Sequence, residues 1–447
     1  MHPQFSTIKS LIFTALKFGY LKRFIFLIAA FFSLGANAQK ARDAFSIKET
    51  ERIVSYLASD ELKGRKIYSP EIDKAADFIA EHFQKAGLQT FNHAPTYLQT
   101  FYMLSPRPTG ISATINDTAI NPEHIIAITA EKELKVSHKC GYAISKINAD
   151  DNLFREAYGL VQKGTNQIVL VDTVHADNFM RLAVLKRNLM KPSASVIFIL
   201  GQPEMKKFCI RATHVFTENK LSNVVATLPG RSKPDEFVIF SAHYDHIGIG
   251  APQNGDSIYN GANDNASGTT ALLLLADYFS TLKNNERTII FVAFTAEESG
   301  GFGSKFFSKQ IAPEKIVAML NIEMVGTQSK WGENTAYVTG FERSGLGEIL
   351  QKNLKSSRFN MHPDPYPDQQ LFFRSDNTAF AILGVPAHSI STAKMDDEPH
   401  YHKASDETKT LDIANLAEIA KAIGLSAESI ISGKNTPSRV NTEALRR

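Results

Sequence analysis

Cysteine is nearly absent from this 447-residue chain, which has only two, Cys140 and Cys209. Neither lies in a motif with a histidine and a third orienting group, so neither is a candidate catalytic nucleophile. No cysteine closely follows the apolar run near the start of the sequence, and a lipoprotein anchor is therefore not indicated. Separation in sequence says nothing about disulfide geometry, so pairing of the two cysteines stays open.

Excess charge of one sign is also absent. The chain has 49 basic and 46 acidic residues, a formal net charge of +3, and no basic stripe or patch interleaved with aromatic residues. These features give no case for nucleic-acid binding. The chain has no internal repeat and no low-complexity tract, and its 43% of hydrophobic residues suffices for a sizeable core.

The first 38 residues have the layout of a secretory signal peptide. Lys22 and Arg23 precede an apolar stretch at 24–34, and the small-residue motif 36–38 ends at Ala38. The apolar stretch is too short to predict a membrane span with any force. We therefore predict cleavage after Ala38 and a secreted or periplasmic mature protein without a stable membrane span, with an uncleaved anchor as the alternative.

Five short motifs supply two imidazoles and several carboxylates in the order His, Asp, Glu, Glu, His. They are SAHYDHIG (241–248), GANDNASG (261–268), FTAEESG (294–300), NIEMVG (321–326) and HYHKASDE (400–407). This is the ligand inventory of a two-metal hydrolase, for which zinc is the natural first candidate. Asp264 is the best shared ligand because a carboxylate has one oxygen for each ion, and the small residues around it let the backbone approach a crowded cluster.

Buried strands are predicted directly before three of these motifs. The runs EFVIFS (236–241), TIIFVAF (288–294) and IVAMLNI (316–322) are short, apolar and rich in β-branched and aromatic residues. Their polar neighbours therefore fall near the carboxyl ends of strands, where open α/β sheets bind their ligands. The prediction is an α/β fold with its site at that edge.

The five motifs resemble the metal-site motifs of the zinc metallopeptidase family that includes aminopeptidase Y, bacterial leucyl aminopeptidases and glutamate carboxypeptidase. The similarity extends to LASDELKGRKIYSP (57–70) and RSDNTAFAILGVPA (374–387). The resemblance implies a three-layer α/β/α fold with a mixed, mostly parallel sheet and an inserted smaller α/β domain similar to protease-associated domains.

The resemblance also implies roles for individual residues around two zinc ions per chain. His243 and Glu323 would bind one ion, Glu298 and His402 the other, and Asp264 both. Glu297 would be the general base, and Asp245 would steady the imidazole of His243 through its second nitrogen. Many relatives have Asp where this chain has Glu323, and relatives hold the peptide bond equivalent to Asp264–Asn265 in the cis form.

Several polar residues near the motifs receive weaker predictions. His246 and His400 flank predicted ligands and are assigned no role, and Asp376 near the site is likewise left without a catalytic role. His388 lies in an apolar run and is predicted to be a satisfied core histidine. Asp406 could support His402 or cap a helix, and Tyr366 could donate to an oxyanion, although packing is its more ordinary use.

The predicted domain organisation has five segments. They are a signal peptide (1–38), an N-terminal part of the catalytic domain (39–98), an inserted protease-associated-like domain (99–222), the metallopeptidase catalytic domain (223–431), and a polar tail (432–447) that we expect to be disordered.

The predicted function is an exported, metal-dependent exopeptidase that acts on peptides, specifically an aminopeptidase that hydrolyses N-terminal residues through a water activated by two zinc ions. A carboxypeptidase on the same scaffold, a glutaminyl cyclase and a non-catalytic binding ectodomain are the alternatives. The small residues that follow the shared aspartate in DNASG favour a peptidase over a cyclase. Every predicted ligand is retained, which argues against the non-catalytic ectodomain. The preferred substrate residue, the native metal and the oligomeric state do not follow from the sequence.

Overall fold

A computed structural model describes residues 41, 43–186, 189–190 and 194–445. The predicted signal peptide lies outside the described residues. The chain divides into a large unit, Met1–Gln99 with Ser222–Arg447, and a small unit, Thr100–Leu221. Within the described ranges, no helix is both long and apolar enough to cross a membrane.

The strands, in chain order, are β1 (Gln89–Thr90), β2 (Leu98–Ile115), β3 (Thr118–Ile120), β4 (Ile125–Ile128), β5 (Glu133–Ser137), β6 (Ala143–Ile147), β7 (Gln167–Val171), β8 (Leu189–Met190), β9 (Val196–Leu200), β10 (Phe208–Leu228), β11 (Lys233–His243), β12 (Gly248–Gln253), β13 (Asp256–Tyr259), β14 (Arg287–Phe294), β15 (Ile316–Ile322), β16 (Thr335–Val338), β17 (Asn360–Pro363) and β18 (Ala387–Ser391). The α-helices are α1 (Ile47–Leu57), α2 (Pro70–Lys85), α3 (Leu153–Gln162), α4 (Ala176–Phe179), α5 (Gly268–Leu282), α6 (Phe302–Phe307), α7 (Leu346–Asn353), α8 (Thr378–Ala381) and α9 (Ile413–Ile431).

The large unit is built on a mixed, mostly parallel sheet with the strand order β17, β16, β18, β15, β11, β14, β10. The central strands β18, β15, β11 and β14 run parallel to one another, whereas β10 pairs with β14 and β16 with β18 in the antiparallel sense. Every residue of β14 is buried, as expected for a strand covered on both faces. The predicted strands before the three motifs are confirmed.

Two apolar layers cover the two faces of this sheet. Along β11, Val238 and Phe240 join the core cluster that contains α5 and α9, whereas Ile239 between them joins a cluster on the opposite face with Phe307 and Phe380. This alternation follows from the period of two in a strand. The α/β/α fold class predicted from the sequence is confirmed.

The small unit has its own four-stranded sheet, in the order β4, β9, β7, β6. Strands β6, β7 and β9 are parallel, and β4 pairs with β9 in the antiparallel sense. Asn152 caps the N-terminus of α3, and its side chain accepts a hydrogen bond from the amide of Arg155. Cys140 and Cys209 both lie in this unit and are free thiols.

The polar tail is packed against the large unit, so the expectation that it is disordered is wrong for its described part. The guanidinium of Arg287, which is buried, donates to the carbonyl oxygens of Ile430 and Asn435, both at 2.7 Å, and to the hydroxyl of Thr436 at 2.6 Å. Farther along, the amide of Val440 donates to the carbonyl of Gly384. A buried guanidinium needs several acceptors, and two of them, the carbonyl oxygen of Asn435 and the hydroxyl of Thr436, belong to the tail.

Candidate metal centre

The carboxyl ends of three parallel strands bring the predicted ligands together. His243 is the last residue of β11, Glu323 follows β15 directly, and the Glu297–Glu298 pair follows β14. The register aligns His243 with Phe294 across β11 and β14, so these ends lie at one edge of the sheet. Because these strands end at the same edge, the side chains at or shortly after their ends converge there.

Three predicted ligands of the first metal surround one position. Nε2 of His243 lies 3.3 Å from Oδ1 of Asp264 and 3.2 Å from Oε1 of Glu323. One ligand atom from each of these three residues lies within 4.8 Å of the others. His243 and Asp264 are buried, and Glu323 is half-buried.

The second predicted group forms around the other oxygen of Asp264. Nε2 of His402 lies 3.2 Å from Oδ2 of Asp264 and 3.2 Å from Oε2 of Glu298. Asp264 therefore directs one carboxylate oxygen to each histidine, which is the arrangement that a shared ligand requires. The structure brings all five predicted ligands together.

His246 also lies at the second group and was missed in the sequence interpretation. Its Nδ1 is 2.9 Å from Oε1 of Glu298 and 4.0 Å from Oδ2 of Asp264, and its ring is buried. Its spacing of three residues after His243 was the available signal, but a neighbouring histidine is common and carries little weight alone. His246 faces Oε1 of Glu298, whereas His402 faces Oε2.

Asp406 holds the segment that carries Asp264. Its Oδ1 accepts from the amide of Asn263 at 2.8 Å, and its Oδ2 accepts from the amide of Asp264 at 3.0 Å. The Asp264–Asn265 peptide bond is cis, as predicted. Gly261 has φ +59°, and a Cβ there would lie 2.2 Å from the carbonyl oxygen of Asp264, so only glycine fits this approach.

Arg65, from the motif LASDELKGRKIYSP, ties two ligand-bearing segments to the N-terminal part of the large unit. Its fully buried guanidinium donates to the carbonyl oxygens of Tyr244 at 2.7 Å and of Gly261 at 2.9 Å, and also to those of Leu57 and Asn260. Burial lowers its pKa to about 10, so it remains a cation at neutral pH beside a carboxylate-rich centre. The motif was noted in the sequence, but no role was predicted for Arg65.

Asp245 supports the centre by a different route from the one expected. Nδ1 of His243 lies 3.1 Å from the backbone carbonyl oxygen of Asp245 and 3.9 Å from its carboxylate, which is beyond hydrogen-bond distance. The carboxylate instead accepts from the amide of Glu297 at 3.0 Å. Asp245 thus orients the imidazole through its main chain, and its side chain fixes the loop that carries Glu297.

The electrostatics of the centre are those of closely paired imidazoles and carboxylates. Hydrogen bonds to Asp264 and Glu298 raise the pKa of His402 to about 10. Burial lowers the pKa of His243, but Glu323, Glu297 and Asp264 more than offset it and leave that pKa well above its usual value. Nε2 of each imidazole thus faces carboxylate oxygens across the position that a cation would take.

Glu297 and Asp376 are carboxyl groups near the centre that belong to neither ligand group. Removal from water raises the pKa of Glu297 well above its usual range, with Glu323 and Asp376 adding to the increase. Burial likewise raises the pKa of Asp376 to about 7. Glu297 lines the cavity, whereas Asp376 lies behind it, so only Glu297 can reach a bound molecule.

A cavity opens over both groups. Beyond the ligands, its wall includes Tyr337, Leu371, Met395, Arg374 and Tyr401. Its apolar side gives room for an uncharged side chain next to the metal groups.

The remaining predictions concern residues outside the cavity. Tyr366 is buried edge-on against Tyr337, as a packing residue would be. His388 is fully buried, with Nδ1 2.8 Å from the carbonyl oxygen of Thr339 and Nε2 2.6 Å from the hydroxyl of Ser344. It is therefore a satisfied core histidine, whereas His400 contacts Ser405 at the rim.

The fold and the site together define an α/β protein with two adjoining nitrogen and oxygen ligand groups at the carboxyl edge of its sheet. Residues 223–426 match the model of Peptidase family M28. The resemblance to zinc metallopeptidases found in the sequence is thereby confirmed.

Two curated relatives and one solved structure illustrate the similarity. A probable leucine aminopeptidase of Trichophyton verrucosum is 30% identical over 216 residues, which cover 46% of this chain and 56% of that protein. Aminopeptidase Y of Saccharomyces cerevisiae is 27% identical over 225 residues, covering 47% of this chain and 40% of that protein. The chain thus spans about half the length of these relatives. The aminopeptidase from Aneurinibacillus sp. strain AM-1 is 17% identical, with a TM-score of 0.53 over 88% of this chain and 95% of its own, and shows a shared fold.

Proposed function

We propose that this protein is an exported zinc aminopeptidase that removes N-terminal residues from peptides with a pair of zinc ions and Glu297 as general base. The observation that carries the proposal is the position of Asp264, whose two carboxylate oxygens each face a different histidine at 3.2 to 3.3 Å. The names of the relatives, a leucine aminopeptidase and aminopeptidase Y, support the same activity.

The ligand spacing suits zinc. Bonds of 2.0 to 2.1 Å in a tetrahedral site separate neighbouring ligand atoms by about 3.3 Å. The separations of 3.2 and 3.3 Å in both groups match that value. His243, Glu323 and Asp264 would hold one ion, and His402, Glu298 and Asp264 the other. Bound zinc would supply Lewis acidity, lowering the pKa of a water and polarising the scissile carbonyl.

Glu297 has the properties of a proton carrier for this reaction. It lines the cavity beside the ligands without belonging to either ligand group. A carboxylate in this position can accept a proton from the attacking water and return it to the leaving amine. The bond between its amide and Asp245 keeps its carboxyl directed into the cavity.

Export is the part of the proposal that rests on the sequence alone. The cationic residues Lys22 and Arg23, the apolar stretch after them and the small-residue motif ending at Ala38 support removal of a signal peptide. N-terminal sequencing of the protein recovered from a secreting host would test it. A mature chain beginning at Gln39 is the expected result, and retention of residue 1 in a membrane fraction would contradict it.

The activity is tested with peptides of known sequence, each in a free and an N-acetylated form, incubated with the zinc-loaded protein with and without chelator. Stepwise loss of N-terminal residues from the free peptides only, abolished by chelator, is the expected result. Loss from the other end would mean a carboxypeptidase, and loss of ammonia from N-terminal glutamine would mean a cyclase. No change in any peptide would favour a binding module.

A further inference from the structure

A further cluster of a histidine and two carboxylates lies outside the candidate metal centre, where three helices of the large unit meet. His82 is in the last turn of α2, Asp277 is in α5, and Glu49 is in the first turn of α1. One ligand atom from each of these residues lies within 4.8 Å of the other two. Among the described residues, this is the only group of its kind that shares no member with the centre.

The cluster combines a buried imidazole with two carboxylates that solvent can reach. Nε2 of His82 lies 2.9 Å from Oδ2 of Asp277, and the ring is buried. The carboxylates of Glu49 and Asp277 are partly exposed and line the same depression in the surface. One nitrogen and two oxygens form a set that zinc accepts, with water completing the coordination. An ion from solution can therefore reach a group of suitable donors.

Arg52 holds one of the two carboxylates in place. Its Nη2 lies 2.6 Å from Oε1 of Glu49, and its Nε donates to Oε2 at 2.9 Å. A carboxylate has about four lone-pair directions, so each oxygen of Glu49 retains one for a metal. Carboxylates that bind metals are themselves ordinarily hydrogen-bonded. Two carboxylates against one guanidinium also leave the cluster with a net negative charge, which attracts a cation.

Two lysines line the depression without belonging to the cluster. Lys85 and Lys283 are both exposed, and Lys85 is paired with Glu81 at 3.3 Å. Salt screens exposed charges over about 8 to 10 Å. These lysines therefore oppose the approach of a cation only weakly.

We propose that Glu49, His82 and Asp277 bind a zinc ion that is separate from the candidate centre and structural in its role. The ion would tie α1 and α2 to α5, the helix that begins directly after the segment carrying Asp264. The imidazole nitrogen favours zinc over calcium and magnesium, which take oxygen ligands. Two exposed carboxylates, one of them shared with Arg52, make this site weaker than the paired centre, so that it fills only at higher free zinc.

The test begins with the full-length protein equilibrated at low free zinc, which fills the centre alone, and then raises free zinc stepwise through the micromolar range. Bound zinc and Tm are measured at each step. We expect the wild type to take up one further ion per chain and its Tm to rise with it, because an ion bound only by the folded state stabilises that state. Glu49→Gln, Asp277→Asn and His82→Gln should each lose both effects. The first two change only a partly exposed carboxylate to an amide, so misfolding of the His82 variant would not spoil the test.

Glu81→Gln is the matched control, because Glu81 precedes His82 on the same helix and is an exposed carboxylate paired with Lys85. It should keep the further ion and the rise in Tm. Equal uptake by the wild type and all four variants would mean adventitious zinc at other surface groups and would overturn the proposal, as would no further uptake by the wild type. Either result leaves the aminopeptidase intact. Uptake and stabilisation as expected, in a protein that cuts no peptide, would refute the proposed function but not this site.

Discussion

The hydroxyl of Ser375 donates a 2.7 Å hydrogen bond to Oε2 of Glu323, which leaves Oε1 of that carboxylate facing His243. Ser375 in turn accepts from the side-chain amide of Asn321 at 2.9 Å, and Asn321 accepts from the hydroxyl of Ser241 at 2.8 Å. This hydrogen-bonded chain of side chains ends at Glu323, a candidate ligand of the first group. It holds the carboxylate of Glu323 in a fixed orientation.

Replacement of Ser375 by Ala should therefore weaken metal binding at the first group. Loss of a hydrogen bond that orients a metal-binding side chain typically costs 10- to 100-fold in affinity. Competition with a chromophoric chelator measures it directly. Ser391→Ala is the control, because Ser391 also lines the cavity but donates to the carbonyl of Met324. Equal affinity in the two variants would mean that Ser375 has no orienting role.

Glu297→Gln should remove turnover while both metals stay bound. The amide keeps the shape of the side chain and cannot accept the proton of the attacking water, so we expect kcat to fall by about 100- to 10,000-fold. Steady-state kinetics measure the loss of turnover, and elemental analysis of the same preparation measures the bound metal. Near-normal rates in this variant would show that Glu297 is not the general base.

His402→Ala and His246→Ala should differ in zinc content. His402 lies 3.2 Å from both Asp264 and Glu298, so its removal should lower the zinc content from two ions per chain towards one. His246 lies 4.0 Å from Asp264, so we expect its loss to weaken the second site without emptying it. Elemental analysis after dialysis against a defined zinc buffer compares them. The reverse order would exchange the roles of the two histidines.

Asp406→Asn should destabilise the fold by about 1 to 3 kcal/mol, because one of two buried backbone amides loses its acceptor. Denaturant unfolding in the presence of chelator separates this effect from metal binding. Glu407→Gln, at a less buried neighbouring position, should leave the free energy of unfolding nearly unchanged. Indistinguishable unfolding curves for the two variants would show that the segment carrying Asp264 does not depend on Asp406.

His388 should make stability fall on acidification. Burial lowers its pKa to about 4, against about 6.5 in an unfolded chain. Above pH 6.5 both states are neutral and nothing is lost. As the pH falls from 6.5 to 4 only the unfolded chain takes up the proton, which removes about 3 kcal/mol. His388→Gln in chelator should lack this part of the pH dependence. An unchanged slope would assign it to other groups.

The proximity of the candidate ligands could be predicted because their motifs follow predicted strands of one sheet. The strands could be predicted because apolar runs such as TIIFVAF form them. The role of Arg65 could not be predicted in this way, because its partners are backbone carbonyls, which every residue has. The described tail was misjudged because its polar composition suggested disorder, whereas the carbonyl oxygen of Asn435 and the hydroxyl of Thr436 accept hydrogen bonds from Arg287.

His402 and Asp406 lie after every strand of the sheet, more than 150 residues beyond His243. A partly synthesised or partly folded chain therefore lacks both a ligand of the second group and the carboxylate that holds Asp264 in place. The paired centre is assembled only when the segment at 400–406 has docked against the edge of the sheet. Under the proposed function, the order of the residues along the chain would postpone hydrolytic activity until this segment has docked.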